Sequence, residues 1–289
     1  MNIQNLFYNN NQQIKSIWRI LIFISLLFIT VLPLFLIDNK TLQFLGATLI
    51  LIFGLYINSK YLDKRKFSDY GLVLRRVTFK YLVVGLIIGF CSVVLMLLIG
   101  KSTGILSVSG FAAISTPHLI GLFAFKMFLV GIIEETFFRG YLYTSLHAVF
   151  KSNKTANKQA ILISLVLSSI LFGLAHFNNN NTSIFSFAAL TINGIVWCIP
   201  FIITKNLGLS IGLHTAWNFT QTQFGFTMSG NNASNSFYSI ENIGSDLFTG
   251  GAYGPEAGIL GILGFAIMLL MSLTYLRYCN GNRFKLIKF

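Results

Sequence analysis

The chain has 289 residues, 54% of them hydrophobic and only 10% charged, with a mean hydropathy of +0.71 and a net charge of +13. Soluble chains carry about 25% charged residues, so this composition excludes an ordinary soluble domain and favours several membrane spans over several soluble units. A charge of +13 would suit nucleic acid, but its distribution along the chain, taken up below, argues against that.

Residues 1–15 are polar and rich in Asn and Gln, and read as a short cytoplasmic lead. The first apolar run, 16–37, is too long for a signal-peptide core and lacks a small-x-small cleavage site, so it reads as a span. A second run at about 42–59 is followed by a basic stretch from Lys60 to Lys80, and a third run covers about 81–100. Residues 101–118 are rich in Ser, Gly and Thr and end in Pro117-His118, which predicts a loop. The fourth run, about 119–147, is expected to be one helix with an amphipathic tail, and a basic loop follows at 151–158. The fifth run is about 159–176, the sixth about 183–204, the seventh about 207–224 and the eighth about 257–276. Asn178 to Asn181 form a loop, and 225–256 is a polar loop without Lys or Arg. The three cysteines, Cys91, Cys198 and Cys279, have no metal-ligand spacing and read as small hydrophobes.

Eight spans put both termini on one side. Seventeen Lys and Arg residues then fall on that side and two, Lys40 and Lys101, on the other, while Lys126 and Arg139 sit inside the fourth run. The positive-inside rule makes the basic side cytoplasmic, where it meets anionic lipid, and no nucleic acid is needed to explain the charge.

The fourth run contains Gly131-Ile-Ile-Glu-Glu-Thr-Phe-Phe-Arg139. A charge deep in a bilayer costs at least ~2.5–3.5 kcal/mol, so such residues usually face a protein interior or a wet cavity. Glu135 and Arg139 are four apart and can pair on a helix, whereas Glu134 points about 100° away and is left for chemistry. The fifth run ends in His176, and the seventh carries His214 and Asn218 four apart on one face. Two carboxylates, two imidazoles and an amide on three helices suit two kinds of hydrolysis. In one, His176, His214 and a carboxylate hold a divalent metal that activates water. In the other, Glu134 and His176 activate water, and His214 and Asn218 donate to the oxyanion. The chain has no His-Glu-x-x-His motif, and spacing alone leaves both open.

Glu134-Glu135-x-x-x-Arg139, then Phe172-x-x-x-His176, then His214-x-x-x-Asn218 resembles the CPBP family, the CAAX prenyl proteases and bacteriocin-processing enzymes. The stretches 168–176 and 207–218 are similar to its second and third motifs, and the resemblance covers about 120–220. It implies an intramembrane endopeptidase, commonly metal-dependent, with Glu134 activating water and Glu135 with Arg139 as the structural pair.

The expected protein is all-α and polytopic, with about eight transmembrane helices and a polar cavity among helices four to seven. Its expected parts are 1–118 (three helices and the basic loop), 119–224 (the catalytic core) and 225–289 (outer loop, last helix and basic tail). The expected reaction is peptide-bond hydrolysis on membrane-associated peptides or proteins, with Glu134, Glu135, Arg139, His176, His214 and Asn218 as site residues. The expected cofactor is a divalent metal, zinc first, held by His176, His214 and Glu134, with a metal-free glutamate route as the alternative. The expected location is a bacterial plasma membrane with both termini in the cytoplasm. Two other classes stay open, a non-proteolytic scaffold for bacteriocin immunity or sensor-kinase regulation and a transporter, although the chain lacks the repeated halves and paired broken helices that mark many transporter sites.

Overall fold

Apolar runs of about 20 residues can satisfy their backbone in lipid by closing their hydrogen bonds within the segment, and they are helices here. The computed structural model describes residues 4–9, 12–111, 116–151, 156–232 and 236–281. Its helices are α1 (Gln4–Phe7), α2 (Ser16–Val31), α3 (Lys40–Tyr61), α4 (Arg76–Ser102), α5 (Pro117–Glu134), α6 (Thr144–Phe150), α7 (Asn157–Ala175), α8 (Ile184–Thr204), α9 (Gly208–Gln223), α10 (Asp246–Thr249) and α11 (Ile259–Asn280). Local chemistry sets several of their starts. The Asn39 side chain accepts a hydrogen bond from Leu42 N at α3, Pro117 opens α5, and Ser183 and Ser186 cap α8 reciprocally. Lys154, Arg283, Lys285 and Lys288, which contribute to the charge asymmetry, lie outside the described residues.

The all-α polytopic architecture expected from the sequence is present. Among the described residues, six helical segments are long and apolar enough to cross a bilayer: Ser16–Leu36, Lys40–Tyr61, Arg76–Ser102, Asn157–Ala175, Ile184–Thr204 and Ile259–Cys279. The two helices that bear the motifs, α5 and α9, are not among the six. With 16 residues α9 is about 24 Å long, short of the ~30 Å hydrocarbon thickness, and every residue in it except Phe219 is buried. It is an interior helix wrapped by protein. The fourth run also departs from the single helix expected. It is α-helical to Glu134, turns to a π-helix over Glu135–Tyr143, and resumes as α6. Such wider turns are rare and concentrate at functional sites.

Small residues bring α9 against α4. Gly85 and Gly89 on α4 face Gly212 and Ala216 on α9, so the backbones nearly touch. A Cβ on Gly212 would fall 2.3 Å from Leu82 O, and one on Gly85 would fall 2.5 Å from Leu209 O. This is the small-xxx-small device of membrane helix pairs. Gly212→Leu is expected to force the two helices apart at a cost of about 1–3 kcal/mol or more. Thermal unfolding in detergent checks this, and a melting point equal to wild type would show that the crossing is not close packed.

At the basic end, Asp63 is buried and gathers several elements. It accepts from Tyr70 Oη at 2.7 Å and Asn58 Nδ2 at 3.1 Å, and it pairs with Arg19 at 3.3 Å and Arg65 at 3.5 Å. Burial first, and then the Asp63 carboxylate, push the Tyr70 hydroxyl well above the usual phenol range, so Tyr70 is a neutral donor. The Tyr70 ring meets Tyr141 of the π-helical stretch edge-on at 6.0 Å. The cluster thus anchors the stretch that carries Glu135 and Arg139.

At the other end, two segments read from sequence as loops pair as an antiparallel two-stranded sheet, β1 (Leu106–Phe111) with β2 (Tyr238–Asn242), in register Val108 to Ile240. The sheet ties the described parts of the 225–256 region to the segment before α5. Gln221 Nε2 donates to Thr227 O at 2.7 Å, and Asn179 Nδ2 donates to Ser229 O at 3.1 Å.

Candidate active site

Helices α3, α5, α7, α8 and α9 and the loop after α9 meet around a cavity of about 640 Å³. From α5, Lys126, Val130 and Glu134 follow one another at intervals of four and share its cavity face. His176 caps the C-terminus of α7, and α9 presents His214 and Asn218 one turn apart. The loop between α9 and α11 supplies Ser229 and Glu256.

Glu134 lies between the two imidazoles, its Oε2 3.7 Å from His176 Nε2 and 3.8 Å from His214 Nε2. That oxygen is enclosed and has no hydrogen-bond partner in the protein. The other nitrogen of each ring is engaged. His176 Nδ1 is 2.9 Å from Phe172 O, and His214 Nδ1 is 2.8 Å from Glu135 Oε1. A carbonyl oxygen can only accept, so His176 donates from Nδ1. The Glu135 carboxylate, itself 3.1 Å from Arg139 Nη1, accepts from His214 in the same way. In the neutral rings both Nε2 atoms are then bare lone pairs aimed at a carboxylate oxygen.

Glu135 and Arg139 hold this arrangement from behind. Glu135 is fully buried and bridges Arg139 and His214. Arg139, also buried, donates to Gly194 O at 3.3 Å, and its guanidinium stands 4.3 Å over the Phe172 ring. Trp197 of α8 stacks on the His214 ring at 4.0 Å, and Ser210 Oγ donates to Trp197 O beside it. His214 is thereby clamped on one face and at one nitrogen.

The structure therefore brings Glu134, Glu135, Arg139, His176, His214 and Asn218 together at one place. His176 ends its helix, whereas His214 lies seven residues into its own. That difference in position along the helices does not separate them, because both Nε2 atoms lie within 3.8 Å of the same Glu134 oxygen. The turn after His176 also borders the cavity through Asn179, as a loop lining a polar pocket should. Trp197 and Glu256 are among the cavity residues that the sequence does not single out. Trp197 has no signal in an apolar run. Glu256 had one, as one of only eight acidic residues in the chain. It is buried, with Oε2 accepting from Ser229 N at 2.7 Å and Ser229 Oγ at 2.8 Å. Burial raises its proton affinity, and those two hydrogen bonds oppose the rise.

The donor set of one carboxylate oxygen and two bare imidazole nitrogens suits a zinc-class ion, and Glu135 behind His214 is the kind of outer partner such ligands have. The spacing is more open than the chemistry. Among the described residues no three His, Cys, Asp or Glu side chains stand close enough to share a metal in this arrangement.

No match was found among curated proteins or among solved structures. Residues 116–220, from the N-cap of α5 to the last turn of α9, match the family model described as Type II CAAX prenyl endopeptidase Rce1-like, and over this segment the chain carries a domain of the CPBP and CAAX protease family that its three motifs resemble.

Proposed function

We propose that this protein is an intramembrane endopeptidase that hydrolyses peptide bonds of membrane-associated peptides or proteins, with Glu134 activating the water. The observation that carries the reading is the Glu134 carboxylate, unbonded and set between two bare imidazole nitrogens on the wall of a polar cavity. The match to an endopeptidase family over the same residues supports it.

In this reading a water molecule donates to Glu134 Oε2 and His176 Nε2, which lie too far apart to bond directly but are spaced for a bridging water. Glu134 takes its proton as the water oxygen bonds to the scissile carbonyl carbon. The tetrahedral intermediate collapses with cleavage of the C–N bond, and Glu134 returns the proton to the leaving amine. Asn218 donates to the oxyanion. His214 would have to carry a second proton to share that task, because its Nδ1 proton already serves Glu135. As a neutral ring it acts as a proton acceptor or metal ligand. A divalent ion, held by Glu134, His176 and His214, would supply Lewis-acid polarisation of the water. Glu135 and Arg139 are positioning residues. The basic side, with both termini, faces the cytoplasm.

The test is cleavage of a membrane-tethered peptide library by the purified protein in lipid. Wild type is expected to cut, and Glu134→Ala and His214→Ala to fail. Chelation is expected to remove activity and zinc to restore it, whereas undiminished cleavage after chelation would assign the same cut to Glu134 and His176 without a metal. A folded wild type that cuts nothing in a broad library would favour the scaffold reading. Equal cleavage by both variants would refute the site.

A further inference from the structure

A second cavity of about 600 Å³ lies at the basic end of the molecule, within the size range of ligand sites. Its floor is apolar, with Leu72 and Val73 from the loop before α4, Leu82 from α4, Phe128 and Ile132 from α5 and Ile211 from α9. Phe128 and Ile132 stand two residues from Lys126, Val130 and Glu134, about 200° around the helix, so this groove is on the opposite face of α5 from the catalytic cavity. Arg75 and Arg76 line it and are the only charged residues that do so among the described residues. Both are exposed, and neither takes part in an ion pair among the described residues.

We infer that this groove binds one anionic phospholipid, its phosphate on Arg75 and Arg76 and an acyl chain along the apolar floor. Charge complementarity selects the head, because two guanidinium groups outside any ion pair favour phosphate and no carboxylate lines the groove among the described residues. The floor selects the tail. A peptide would bring N–H and C=O groups that walls of Leu, Val, Ile and Phe cannot satisfy. The setting fits a bilayer surface. Leu74 and Phe79 beside the arginines are 103% and 69% exposed, and Arg76 opens a 27-residue apolar helix. A seated chain would touch Ile132 and Ile211, two and three residues before Glu134 and His214, and so would brace the helices that carry those two residues.

The test is titration of the full-length protein in neutral detergent with phosphatidylglycerol or phosphatidylcholine, read by native mass spectrometry of the retained lipid. One phosphatidylglycerol is expected to be held. Arg75→Gln/Arg76→Gln is expected to weaken it by roughly 30-fold, the effect of two basic contacts. Ile52→Trp, which narrows the groove from α3, is expected to weaken it without altering the surface charge. Lys60→Gln/Lys64→Gln removes equal charge from the same face outside the groove and is expected to change binding less than about threefold. Any of four results would overturn the inference: equal retention of phosphatidylcholine, no loss in the arginine variant, an equal loss in the lysine control, or displacement of the lipid by glycerol phosphate at the same concentration.

Discussion

Glu134→Gln is expected to lower the rate of peptide cleavage by roughly 10²–10⁴-fold or more while leaving the protein folded. The amide keeps the size of the carboxylate but cannot accept the proton of water. Its neighbours keep their places, since His176 remains bonded to Phe172 O and His214 to Glu135 through their other nitrogens. The Glu134 side chain is 24% exposed to the cavity, so no buried charge loses its partner. Rates of reporter cleavage in lipid, together with thermal unfolding of the same preparations, check both halves of the expectation. A variant that keeps more than about a tenth of wild-type activity would move the proton-accepting role to another residue.

Glu135→Leu, one residue away, is expected to fail in a different manner. It leaves the Arg139 guanidinium 2% exposed with no carboxylate within reach among the described residues. Breaking a buried ion pair by removing one partner costs about 3–5 kcal/mol, because a charge stays buried without compensation. A fall in melting temperature on the order of 10 °C is therefore expected in detergent. The double variant Glu135→Leu/Arg139→Met removes both charges and is expected to recover most of that stability, since replacing a buried pair with apolar groups of similar volume is often near neutral. It is not expected to recover activity, because His214 Nδ1 has lost the carboxylate that sets its tautomer. A Glu135→Leu protein that melts with wild type would show that the pair is dispensable to the fold. A double variant with full activity would show that His214 needs no such orientation.

These two neighbours separate because of local geometry that was already legible in the chain. Adjacent residues on a helix point about 100° apart, and residues four apart share a face. That places Glu135 with Arg139, puts Glu134 on another face, and sets His214 and Asn218 side by side. Long apolar runs likewise announced most of the spanning helices, because hydropathy and backbone satisfaction in lipid are properties of a segment alone. The polar residues inside those runs stood out for the same reason.

Other features depend on what lies next to what. No run of sequence shows that α9 is wrapped on all sides and too short to be an independent span. That follows from the approach of Gly85 to Gly212, which needs two helices to be placed before it means anything. The π-helical stretch from Glu135 to Tyr143 is unremarkable as a string, and it is held by contacts with Tyr70 and the Asp63 cluster from a distant loop. Glu256 and Ser229 reach the cavity only because β1 and β2 pair across more than a hundred residues.

By itself, then, the sequence determined a multi-pass helical membrane protein and named the six polar residues of its candidate site, since hydropathy and helical phase act over a few residues. The tertiary structure decided how those residues are used. It set Glu134 between two imidazoles, put Glu135 behind His214, and drew a carboxylate from the loop between α9 and α11 to the same cavity. Which lone pair faces which proton depends on side chains brought together from three helices, and only the packing of those helices sets their distances to within a few tenths of an ångström.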